Sequence, residues 1–131
     1  MSFDLGVWRS ETVPSDDEAG ETYLHLCSDE SGGGPVEPGI EELYSELTRR
    51  YPEIDTMLEG EVDDCPWSVR LGKSGHHVIM SAVWSRSDEI RAFVLELAKK
   101  YGLILFDPQV GKVLWPERPA ERSWFTLFSR Q

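Results

Sequence analysis

Two stretches of the chain carry the same apolar spacing, and each demands a surface to pack against. Ile40, Leu43, Tyr44, Leu47 and Tyr51 fall at i, i+3, i+4, i+7 and i+11, and Ile90, Phe93, Val94, Leu97 and Tyr101 repeat that spacing. At 3.6 residues per turn such positions line one side of an α-helix, and a one-sided helix must bury its stripe on another element. Between the stripes lies the run His77–Trp84, apolar on both faces, as a central strand is. Helices packed on a sheet are the consequence.

The punctuation around these stretches supports the same assignment. Arg49 and Arg50 occupy the last turn of the helix that Pro52 stops, and Lys99, Lys100 and a C′ Gly102 close the other, for which Ser87 is the expected cap. A further helix is predicted over 16–27. Ser15 and Glu18 have capping-box spacing, Asp16 and Asp17 suit a helix N-terminus, and Ala19, Tyr23, Leu26 and Cys27 form the buried side. Gly20 weakens it. Phe3, Leu5 and Val7 alternate along a strand; 67–71 and 76–84 read as a hairpin across Gly72-Lys73-Ser74-Gly75; 103–106 and 112–115 read as two more strands. The predicted order is β-α-α-β-β-α-β with an extra C-terminal hairpin and tail. The fold class is α+β: a ferredoxin-like split β-α-β core, helices on one face of an antiparallel or mixed sheet.

A chain of 131 residues supports one domain over 1–131. It contains a Gly-rich loop at 28–39, an acidic loop at 52–66 and a tail at 116–131. The aromatic end of that tail, Trp124, Phe125, Leu127 and Phe128, is expected to dock back on the domain. Cys27 and Cys65 match no zinc or redox spacing, no apolar stretch is long enough for a membrane span, and no leader pattern opens the chain. A cytoplasmic protein with reduced thiols, monomeric or homodimeric, is expected.

The charge is lopsided. Residues 1–64 carry 18 acidic and 3 basic side chains and residues 65–131 carry 6 and 10, within a net charge of −11. Such a first half repels nucleic acid and steers a basic protein partner towards itself. The acidic surface is assigned to Glu53, Asp55, Glu59, Glu61, Asp63 and Asp64.

Familiar catalytic patterns fit poorly. Leu71-Gly72-Lys73-Ser74 resembles the end of a phosphate loop, but Trp67 stands where the motif needs its first Gly. The acids around Asp63 and Asp64 lack the alternation and central Gly of an EF-hand. His76 and His77 are the most suggestive pair, yet neighbours on a strand point to opposite faces and cannot share one ion. No metal, no cofactor and no catalytic residue is assigned. A small-ligand groove is expected between His76, His77, the tryptophans Trp67 and Trp84 with Trp115, and the turn bearing Asp107 and Gln109.

Taken together, Phe3-Asp4-Leu5 with Val7-Trp8, Arg50-Tyr51-Pro52-Glu53-Ile54, Pro66-Trp67-Ser68, His77-Val78-Ile79-Met80 and Asp107-Pro108-Gln109 resemble a family of small uncharacterised bacterial proteins, common in actinobacteria, over most of the chain. The resemblance implies no activity and no site residues. In size and charge the chain is also similar to immunity proteins that neutralise toxins. The expected function is a non-enzymatic interaction or binding module with an acidic recognition surface. The alternative is a small enzyme or ligand binder working near His76 and His77.

Overall fold

The elements run β1 (Phe3–Trp8), α1 (Asp16–Ser28), α2 (Ile40–Arg50), β2 (Gly72–Lys73), β3 (His77–Ala82), a 3-10 turn (Trp84–Arg86), α3 (Ser87–Tyr101), β4 (Ile104–Asp107) and β5 (Lys112–Trp115). The computed structural model describes residues 2–28, 36–54 and 65–116. The predicted loop residues 29–35, the acidic stretch 55–64 and the tail 117–131 lie outside the described residues.

One antiparallel sheet holds the five strands in the order β2-β3-β1-β4-β5. Its first four members are compatible with the ferredoxin-like plan, and β5 extends the edge beside β4. Strand β1 is central because it is apolar on both sides. Phe3, Leu5 and Val7 meet Leu43, Leu47, Ile90 and Val94 in the larger core, while Trp8 meets Ala19, Tyr23, Ile104 and Phe106 in a smaller one. Each fully buried Leu, Ile or Val there contributes about 1.5–3 kcal/mol relative to an exposed position.

The expectation of helices on one face therefore holds for α2 and α3, whereas α1 packs on the other. The even-numbered side of β1 and β4 supplies the reason, since Trp8, Ile104 and Phe106 are as apolar as the odd side. Gly6 makes the approach possible: a Cβ there would lie 2.8 Å from the Tyr23 ring. Cys27, predicted in the buried stripe of α1, is exposed instead.

The ends form much as their residues dictate. Ser15 Oγ accepts the Glu18 amide at 3.1 Å and Glu18 Oε1 accepts the Ser15 amide at 2.9 Å, a reciprocal capping box. Gly102 closes α3 in the left-handed region, φ 67°, which costs a residue without Cβ little. Ser87 provides no cap, because the 3-10 turn leads directly into the helix and Arg86 N–H reaches Val83 O at 3.1 Å.

The predicted hairpin is shorter than its apolar pattern. Trp67 makes a single bridge to Ala82, and only Gly72 and Lys73 pair with β3. Ser68 still reaches β3, its amide donating to Ser81 O at 2.9 Å, but other groups of this arm bond elsewhere: the Trp67 indole donates to Tyr51 O at 2.8 Å, and the Leu71 amide donates to Glu53 Oε1 at 2.9 Å. The tight turn is Ser74-Gly75-His76, closed by Ser74 N–H on His77 O at 3.0 Å.

Candidate functional site

The residues expected to share one groove lie at opposite ends of β1. His77 pairs with Trp8 at the end of the strand, whereas Gln109 bonds Asp4 near its start. Those positions are four residues, about 13 Å, apart along a strand. Trp84 is at the Gln109 end, edge-on to Phe3 at 5.4 Å and 45% exposed. Trp67 is buried under Tyr51, and Trp115 sits beside Lys99 of α3, with the ammonium 5.3 Å from its ring. The tryptophans form no common rim: Trp67 is fully buried in the larger core, Trp84 packs on Phe3 and Trp115 lies beside Lys99.

His76 and His77 come closer than strand alternation implies. His76 belongs to the turn, so its ring swings to 5.1 Å from that of His77 in an edge contact. Ser74 Oγ lies 3.0 Å from His76 Nδ1 and 2.6 Å from His77 Nδ1, and it also accepts the His76 amide at 3.1 Å. A hydroxyl has one proton, so it donates to at most one of the rings. Ser74 and His77 are buried. A serine so enclosed, bonded within its own turn, is poorly placed to attack a substrate, and the cluster reads as the clasp of the hairpin. His77 also borders a groove of about 360 Å³ with Arg70 and Ser81, walled on one side by Leu26 and Cys27 of α1.

Asp107 and Gln109 build a second clasp. Asp107 is buried and its Oδ1 accepts the Gln109 amide at 2.9 Å as well as the Gln109 side-chain amide. Gln109 in turn accepts the Asp4 amide on Oε1 at 2.6 Å and donates Nε2 to Asp4 O at 2.8 Å. Pairing of β1 with β4 covers only Gly6 to Trp8, so the Gln109 side chain continues the ladder where the β4 backbone turns away.

The acids divide by role. Glu53, assigned to the acidic surface, is buried and accepts the Tyr44 hydroxyl at 2.6 Å together with the Leu71 amide. A buried carboxylate without such donors is costly, and these bonds offset that cost. Asp55, Glu59, Glu61, Asp63 and Asp64 lie outside the described residues. Glu41 pairs with Lys73 at 2.6 Å, and Glu46 with Lys100 at 2.8 Å and with the Tyr101 hydroxyl. Arg86 and then the Tyr51 hydroxyl hold the Glu89 carboxyl down at about 2.

What the sequence pattern did not single out is the outer side of α1. Asp17, Glu21 and Leu24 fall at i, i+4 and i+7, on the side away from Ala19, Tyr23 and Leu26. Leu24 is 68% exposed, and the Asp17 and Glu21 carboxylates make no hydrogen bond or ion pair among the described residues. This stripe borders a groove of about 510 Å³ between α1 and the β4–β5 turn. Its floor is apolar: the Tyr23 ring lies 5.6 Å from Phe106, and Pro108 closes the far side. Burial, and then the hydrogen bond with Cys27, push the Tyr23 phenol up, so it stays neutral. Asp16 reaches inward instead, its Oδ1 accepting the Val113 amide at 2.9 Å and tying α1 to β5. The spacing 17, 21, 24 was readable, but one leucine among acids gives no signal until the groove beside it is seen.

The groove unites an apolar floor with two carboxylates that no donor or cation among the described residues engages. Among the described residues no group of three or more His, Cys, Asp or Glu is placed to hold a metal ion, and no helix is long and apolar enough to cross a membrane. Compared with protein families, curated proteins and solved structures, the chain matches none.

Proposed function

We propose that the protein is a non-enzymatic interaction module that recognises a basic protein partner through its acidic first half, in the manner of an immunity protein. One observation carries this: on α1, Asp17 and Glu21 stand unbonded beside an exposed leucine at the mouth of an open apolar groove. Carboxylates needed only inside the fold are bonded there, as Glu53 and Asp16 are. The excess of acid over residues 1–64 adds long-range attraction for a cation and raises its encounter rate at low salt. The test is affinity capture at low salt, followed by titration of the purified chain with the recovered, identified partner. A basic partner whose affinity falls as salt rises supports the proposal. Recovery of no partner at low salt would reduce the acids to a solubilising role.

The groove beside His77 favours a second reading, a small-ligand binder using His77 and Arg70. Its test is the shift of the His77 ring resonances on adding candidate ligands, and an unmoved spectrum across every class removes it.

A further inference from the structure

The geometry points to a definite occupant for the α1 groove: a peptide segment of a partner that inserts one large apolar side chain between α1 and the β4–β5 turn and carries Lys or Arg on either side of it. This rests on the interaction reading above and adds the surface and the chemistry of the segment.

Three features converge. The groove holds about 510 Å³, room for one large side chain and the backbone that carries it rather than for a second domain face. Its apolar margin, Leu24 at 68% exposure, lies far above what a leucine shows when packed. An isolated exposed apolar residue is common and needs no explanation, but this one borders a concavity floored by Tyr23 and Phe106. Finally, the lip is charged with one sign: Asp17 and Glu21 are a turn apart on α1, without cations bonded to them among the described residues. Asp16, at the same helix end, adds field while bonded to Val113. An anionic peptide is repelled by that lip, and a purely cationic one leaves the apolar floor wet. A segment with both properties buries an anchor, which supplies most of the affinity, and sets its charges at the rim, where they supply rate and selectivity.

The binding experiment uses the full-length chain and a displayed library of random peptides, followed by synthesis of the enriched sequences. Each synthetic peptide is then measured by fluorescence anisotropy against the wild type and two variants, Leu24→Ser and the double variant Asp17→Asn with Glu21→Gln. Both variants change exposed positions, and circular dichroism checks that they remain folded. The expected result is enrichment of peptides with one aromatic or long aliphatic residue flanked by Lys or Arg. Leu24→Ser should weaken them about tenfold, as loss of a contact to an anchor does. The double variant should flatten the salt dependence. Replacing the peptide's anchor by Ala should abolish binding, and replacing its basic residues by Glu should do the same. Enrichment of acidic or uncharged peptides, no enrichment, or binding indifferent to both variants would overturn the proposal. Anchorless Lys/Arg peptides that bind in a salt-sensitive way but ignore Leu24→Ser overturn the groove while leaving the acidic-surface reading standing, so the two failures are told apart.

Discussion

Replacing Gln109 separates a residue that recognises something from one that completes the sheet. Its side-chain amide makes two hydrogen bonds to the Asp4 backbone, at 2.6 and 2.8 Å, and one to Asp107. A net protein hydrogen bond is worth about 0.5–1.5 kcal/mol, and these bonds to Asp4 are exposed, so the lower part of the range applies to each. Gln109→Ala removes both and exposes the Asp4 backbone pair to water, at a cost of about 1–2 kcal/mol. Unfolding entropy of about 2.1 cal/mol/K per residue makes one kcal/mol worth about 4 °C in a chain of this length. The midpoint should fall by about 4–8 °C. Gln109→Glu keeps the acceptor but replaces the donor with an anion beside Asp107, so it should be at least as damaging. The assay is urea unfolding followed by circular dichroism, with thermal melts alongside. An alanine variant as stable as wild type would refute the structural assignment of this side chain, and the Asp107-Pro108-Gln109 turn would again be a candidate for ligand contact.

Other perturbations probe the two cores and the network between the helices. Gly6→Ala brings a Cβ to 2.8 Å from the Tyr23 ring and should cost about 1–3 kcal/mol by pushing α1 off the sheet; unchanged urea stability would contradict that packing. Trp67→Phe leaves Tyr51 O without the indole donor and opens space in the larger core, a loss of about 2–4 kcal/mol in the same assay. Glu89 is held at about 2 against an ordinary 4.5, so its contribution is complete above about pH 4.5 and fades as pH falls towards 2. Glu89→Gln should therefore lower stability at neutral pH and flatten its decline over that window; acid-melt curves parallel to wild type would count against the Arg86–Glu89–Tyr51 network.

Element identity was legible in the residues themselves. The stripes at 40–51 and 90–101 named two helices because helical period and apolar spacing coincide locally, and Ser15 with Glu18, Pro52 and Gly102 marked ends through short-range backbone chemistry. The faces of the sheet were less legible. Both sides of β1 are apolar, and only packing shows that Tyr23 descends on Gly6 from one side while Leu43 and Ile90 cover the other. The partners of polar side chains were not readable either, since they depend on contacts between residues far apart in the chain. Gln109 meets Asp4 across 105 positions, and Glu53 meets Leu71 across 18.

The same division applies to function. Composition alone established an acidic first half, because charge is a sum over residues and needs no geometry. Which carboxylates remain to express it was decided by tertiary structure. Folding draws Glu53 into the core and Asp16 onto β5, where donors replace their water, and leaves Asp17, Glu21 and Leu24 standing together at the mouth of a groove that exists only once α1 and the β4–β5 turn have met.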